Sequence, residues 1–310
     1  MRKHETIVTT HGRGWSLACL TLIAGLVAVA WVAPANPSFR GSPGRIVFDR
    51  PLDANVEIYV MDLDGSNLQN LSNHPASDND PRWSPDGERI AFQSNRDGNW
   101  EIYVMAADGS GQTRLTFDAA SDQLPAWTAD SRIVFASDRD GDNDLYVMDD
   151  NGGAVRHFVD DPSNDFFPAT APHGQGIVFM SDRDGTLDLY RTTTAGGPIR
   201  RVSDSPFADT WPSWSPRGND IAFVRSEGGN RDLYVVHKNG RHLARLTDTP
   251  ERDEVAPTWS PDGKRLLYLG CADGLCDLFV RSSDGSGHET KLTNDGGAGA
   301  ADWQPLPRRP

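Results

Sequence analysis

"SNRDGNWEIYV" at Ser94–Val104 returns as "SDRDGDNDLYV" at Ser137–Val147. In both, a charged turn containing glycine leads into an alternating strand. A motif that serves one active site occurs once, so a phrase that recurs reports architecture first. Function is then sought where the copies differ.

Outward from this phrase the repeat covers most of the chain. Aligned on the "IAF" element, the units begin at Ile46, Ile90, Ile133, Ile177, Ile221 and Leu266, at spacings of 44, 43, 44, 44 and 45 residues. An aromatic marker keeps the same intervals at Tyr59, Tyr103, Tyr146, Tyr190, Tyr234 and Phe279. Each unit has a short apolar strand such as "RIAF", a polar turn and an alternating strand such as "EIYVM". An Asp-Gly or Asn-Gly turn usually follows, where positive φ suits a tight hairpin, and then a short strand ending near "LT". A fourth segment, "PRWSPDG" or "PTWSPDG", carries Trp83 or Trp259 into a turn of type I character. Four strands in a unit of this length predict a propeller blade.

The first unit lacks the Trp-bearing strand, and "AADWQP" near the C-terminus is an orphan copy of it. The expectation is an all-β, six-bladed β-propeller over residues 45–305, closed by Ala300–Gln304 joining the N-terminal blade, with a tail at 306–310. Such closure leaves no open sheet edge at the seam.

Residues 1–35 read as a separate object. Arg2, Lys3 and Arg13 precede the apolar run "WSLACLTLIAGLVAVAWVA" at 15–33, and small residues follow. A secretory signal and an uncleaved membrane anchor through residues 15–33 both fit, with 36–44 as a linker. Either predicts an extracytoplasmic protein: periplasmic, cell-surface or secreted. Cys271 and Cys276 flank a turn-like "ADGL", and a cross-strand hairpin disulfide between them agrees with export.

The chain carries 30 Lys and Arg against 44 Asp and Glu, a formal net charge of −14. That balance offers no footprint for a phosphate backbone, so no nucleic-acid partner is expected.

Taken together, "SNRDGNWEIYVMAADGSGQTRLT", the "SDQLPAW" after it and the "PRWSPDG" before it resemble the WD-like repeat of the TolB-like β-propeller family. The resemblance covers residues 45–305. It implies an extracytoplasmic propeller whose channel or face binds another macromolecule. The family's founding member carries a further α/β domain before its propeller. Here about ten residues separate the apolar run from the first blade, so a role in the Tol-Pal system is not carried over.

Residues that depart from the repeat are where chemistry would lie. No Gly-x-Ser-x-Gly elbow is present. His74, His157, His173, His237, His242 and His288 share no common repeat position, and surface histidines are the plain reading. The Asp-rich turn at Ser137–Asp144 resembles a calcium loop but lacks the order and terminal Glu of an EF-hand. Calcium there would be unsurprising, yet no cofactor, metal or catalytic residue is expected. An acid stands two residues before each aromatic marker, at Glu57, Glu101, Asp144, Asp188, Asp232 and Asp277. Six identical placements suit a structural role, with Arg96, Arg139 and Arg183 as expected donors.

Two sets of positions on the Trp-bearing strands stand out. Asp78, Asp122, Asp165, Asp209 and Glu254 lie five residues before the Trp-equivalent position, with Ala298 as the sixth. On an innermost strand they form either a broken acidic ring at one channel mouth or a set of local turn caps. Three residues before the same marker the units diverge: Asp80, Leu124, Phe167, Trp211, Ala256 and Ala300. Leu124, Phe167 and Trp211 occupy consecutive blades and predict one apolar arc. That arc fits either a recognition surface or packing that plugs the channel. The functional expectation is a monomeric, non-catalytic binding or scaffolding propeller that contacts a protein or peptide in the cell envelope. A propeller enzyme, a metal-dependent lyase or hydrolase acting on a saccharide or lactone, is the alternative.

Overall fold

The computed structural model describes residues 44–52, 55–174 and 176–305. The expected leader at 1–35, the linker up to residue 43 and the tail at 306–310 lie outside the described residues. Among those described, six four-stranded antiparallel sheets form the ring. Blade 2 is representative: Asp78–Trp83, Arg89–Ser94, Glu101–Ala106 and the two-residue outer strand Thr113–Arg114, in that order from the channel outward. Blade 1 is completed from the far end of the sequence, because Ala301–Trp303 pairs antiparallel with Ile46–Leu52 through Ile46↔Trp303 and Phe48↔Ala301.

The apolar strand is buried on both sides because neighbouring blades cover its two faces. Phe48, Phe92, Phe135, Phe179, Phe223 and Tyr268 are among the largest fully buried side chains. Directly across the hairpin sits the aromatic marker, as in Phe92↔Tyr103 and Phe223↔Tyr234, with ring centroids 5.7 and 5.8 Å apart. Burying one such ring stabilises the fold by about 1.5–3 kcal/mol.

Blades are also stitched to their neighbours. The Trp127 and Trp259 indole N–H groups donate to the carbonyls of Arg82 and Ser213 in the preceding blade, both at 3.2 Å. At the seam Arg45 N–H donates to Gln304 Oε1 at 3.2 Å, and Gln304 N–H to the Arg45 carbonyl at 2.8 Å. Cys271 and Cys276 are opposite each other in the blade 6 hairpin and form a disulfide.

Candidate functional site

The strand that carries the Trp, or Thr170 in the fourth blade, is innermost in every blade, so its side chains line the channel. These strands are Asp78–Trp83, Asp122–Trp127, Asp165–Thr170, Ala208–Trp214, Asp253–Trp259 and Ala301–Trp303. Five of them carry a bulge at the same place, where register shifts between Asn79 and Arg82, Gln123 and Ala126, Phe166 and Ala169, Thr210 and Ser213, and Val255 and Thr258. The bulged residues Asp80, Leu124, Phe167, Trp211 and Ala256 all adopt left-handed backbone, with φ of 52°, 57°, 47°, 49° and 51°. A proline follows each of them. Left-handed backbone on a branched or aromatic residue is strained, and a bulge re-aims the side chain it carries. Here the bulges direct the divergent residues onto the channel wall.

The result is a cavity of about 270 Å³ with two unlike sides. Leu124, Phe167 and Trp211 line one, half-buried, and the Phe167 and Trp211 rings meet edge to face at 5.7 Å. The three side chains expected to form an arc thus line the same cavity, with the two aromatic rings in contact.

Across from it lie Asp80, Arg82 and Asp302, with Asp49 behind them. Asp49 Oδ2 accepts from Asp80 N–H at 2.9 Å, and Asp302 Oδ2 accepts from Trp83 N–H at 2.9 Å. Gly299 leaves room for this arrangement, since a Cβ there would fall 1.5 Å from Asp49 Oδ1. Burial, and then the neighbouring Asp80 charge, push the Asp49 carboxyl up to about 7 against the pull of Arg82. Burial also raises Asp80 and Asp302, and Arg82 opposes it in both.

The sign of the pH effect follows from the Asp49 shift. Between the ordinary carboxylate range and about 7, the folded chain keeps a proton that the unfolded chain has released. Stability therefore falls as pH rises across that window. Asp49→Asn should raise the unfolding midpoint at about pH 8 and flatten the fall between roughly pH 5 and 8, by on the order of 1–3 kcal/mol. Thermal unfolding at both pH values checks this, and an unchanged slope would show that Asp49 ionises normally.

The acids five residues before the Trp position are not a rim, which corrects the expected acidic ring. Asp78, Asp122, Asp165, Asp209 and Glu254 are completely buried, and each is bound by an arginine. Arg96, Arg139 and Arg183 donate to both oxygens of Asp78, Asp122 and Asp165 at 2.9–3.0 Å. Arg225 Nε and Nη2 form a fork with Asp209 at 2.7 and 2.8 Å, and Arg252 Nε holds Glu254 at 2.8 Å. A carboxylate with no access to water needs such a partner, and once paired it has little charge to offer a ligand. Each guanidinium also covers the aromatic marker, from 4.2 Å for Arg252 over Phe279 to 5.1 Å for Arg225 over Tyr234. In blade 1, where Ala298 replaces the acid, Arg50 covers Tyr59 and pairs with Asp295 instead.

The expected donors of the second acid set are corrected by the same geometry, because Arg96, Arg139 and Arg183 are engaged elsewhere. Outer-strand cations take their place: Arg114 on Glu101, Arg201 on Asp188, Arg245 on Asp232 and Lys291 on Asp277, at 2.6–2.8 Å. The sequence reading missed Arg82 and Asp302 as channel residues and Asp49 as the buried acid behind them. Their signal was a charge at repeat positions that other units fill with Ala136, Met180 or Val224, and with Ala126, Ala169 or Ser213.

The family model of the TolB beta propeller domain, PD40, matches residues 123–306, more than half of the chain. The chain belongs to the TolB β-propeller domain family. The Tricorn protease N-terminal beta propeller domain also matches, over residues 45–143. Among solved structures, TolB from Acinetobacter baumannii is 23% identical over 85% of this chain and 67% of that one, with a TM-score of 0.74. A putative TolB from Agrobacterium tumefaciens is 18% identical over 85% of this chain and 98% of that one, with a TM-score of 0.69. A puromycin-hydrolyzing peptidase of Mycobacterium tuberculosis is 14% identical over 82% of this chain and 44% of that one, with a TM-score of 0.58. At these identities the likeness is one of fold. No curated protein matches the chain. The TolB-type propeller thus supplies the scaffold on which the two-sided channel is built.

Proposed function

We propose that this TolB-type propeller is an extracytoplasmic binding module that receives a segment of a protein partner at its channel. One observation carries the reading: Leu124, Phe167 and Trp211 form an apolar wall opposite the carboxylates of Asp80 and Asp302. Aromatic anchors in a half-enclosed site supply most of the affinity in protein recognition. The acidic side adds selectivity for a basic side chain and repels acidic competitors. The partner is therefore a peptide segment with an aromatic or aliphatic residue next to a Lys or Arg. A location outside the cytoplasm is supported by the Cys271–Cys276 disulfide and by the apolar N-terminal run. Hydrolase activity has only the fold likeness in its favour.

Affinity capture from envelope extracts tests the reading by comparing the wild-type chain with Phe167→Asp/Trp211→Asp and with Asp80→Asn/Asp302→Asn, after checking that each variant folds. The aromatic pair should weaken a retained partner by roughly 30-fold or more, the equivalent of about 2 kcal/mol. The acidic pair should weaken it less and reduce its sensitivity to salt. Retention of the same partner by all three proteins would remove the channel from the interaction.

A further inference from the structure

Blade 3 departs from its neighbours on its outer strands. In blade 2, Arg114 lies between two carboxylates, 2.6 Å from Glu101 and 3.5 Å from Asp97. In blade 4, Arg201 does the same, 2.6 Å from Asp188 and 3.8 Å from Asp184. A hydroxyl completes each cage: Thr116 donates to Glu101 at 2.5 Å and Ser203 to Asp188 at 3.1 Å. Blade 3 keeps both carboxylates, as Asp140 and Asp144, and loses both donors. The strand Arg156–Val159 puts His157 opposite Tyr146, where the others put Arg114 opposite Tyr103 and Arg201 opposite Tyr190. After it the chain reads Val159-Asp160 where the others read Leu115-Thr116 and Val202-Ser203.

The exchange leaves a buried acid without its cation. Asp144 is 1% exposed, and its Oδ1 is buried with no hydrogen-bond partner. One ligand atom from each of Asp140, Asp144 and His157 falls within 4.8 Å of the other two. His157 Nε2 is 2.9 Å from Asp140 Oδ2 and also contacts the Tyr146 hydroxyl. Its Nδ1 is 3.1 Å from Asp160 Oδ2. Donation of Nδ1–H to Asp160 leaves the Nε2 lone pair facing the two carboxylates, the arrangement in which an outer carboxylate orients a metal-binding imidazole. The nearby guanidinium of Arg139 is committed to Asp122.

We propose that Asp140, Asp144 and His157 bind one divalent transition-metal ion of the Zn²⁺ type, which occupies in blade 3 the place of the bridging guanidinium in blades 2 and 4. Two carboxylate oxygens and one imidazole nitrogen suit Zn²⁺, whereas Ca²⁺ requires about six to eight oxygen ligands. Ligands at about 2.0–2.2 Å from zinc stand roughly 3.4 Å apart around a tetrahedron, so a seated ion requires Asp140 Oδ2 and His157 Nε2, 2.9 Å apart, to open slightly. The competing arrangement is a protonated His157 that bridges the carboxylates unaided.

His157→Arg separates the two, because it restores the bridging cation of blades 2 and 4. The purified full chain is stripped with chelator, dialysed against Zn²⁺ and analysed for bound metal and thermal midpoint. The wild type should retain one more zinc per chain than His157→Arg, and its midpoint should rise with Zn²⁺ while that of the variant does not. Asp140→Asn should weaken zinc uptake at least tenfold, and Co²⁺ should give a visible d–d band in the wild type alone. Equal zinc retention by wild type and His157→Arg overturns the proposal. So does Ca²⁺ displacing Zn²⁺ at equal concentration, or a wild-type midpoint that rises on acidification and ignores zinc.

Discussion

Arg225→Ala should destabilise the propeller by about 3–5 kcal/mol, the range for removing one member of a buried ion pair. Asp209 would then remain fully buried with neither of its forked hydrogen bonds. The cover over Phe223 and Tyr234 would go as well. Arg225→Leu/Asp209→Leu should recover most of the loss, because an apolar pair leaves no unpaired charge behind. Urea unfolding of the single and double variants measures both. A single-variant loss below about 1 kcal/mol would mean that water reaches Asp209 once the guanidinium is gone.

Gly152→Ala should cost about 2–4 kcal/mol through two separate effects, left-handed strain and steric overlap. Gly152 has φ of +83°, and a Cβ there would meet the Leu115 carbonyl oxygen of the preceding blade at 2.5 Å. That oxygen is main chain and cannot swing aside. Gly111→Ala isolates the first effect, since φ is +66° and nothing lies within 4 Å of a Cβ. The difference between the two losses in denaturant melts reports how tightly blade 3 abuts blade 2. Equal losses would mean that the blades can part without penalty.

The ring was legible because its signal is periodic. A spacing that recurs from Ile46 to Leu266 averages out local ambiguity, and the orphan strand at Trp303 pointed to the closure that Ile46↔Trp303 completes. The Asn-Gly turn at Gly152 was legible as a turn, but its approach to another blade was not. The acids were legible as a set and their partners were not. Arg96 reaches back 18 residues to Asp78 rather than forward to the nearer Glu101, and its guanidinium lies over Tyr103. Leu124, Phe167 and Trp211 could be found because they vary at a fixed repeat position. Asp49, Asp80 and Asp302 come from two blades and the closing strand, so only the folded ring gathers them. His157 was visible as a histidine but was not read as the replacement for an arginine, although it stands eleven residues after Tyr146, as Arg114 does after Tyr103 and Arg201 after Tyr190.

The seam also sets an order in time. Arg45 and Gln304 are 259 residues apart, and among the described residues the innermost strand of the first blade follows every other strand in sequence. Contacts this distant in sequence form late and slowly. A nascent chain thus carries an open arc of blades until its final strand arrives, and Asp302 arrives with that strand. The acidic wall is therefore incomplete until the closing strand is in place.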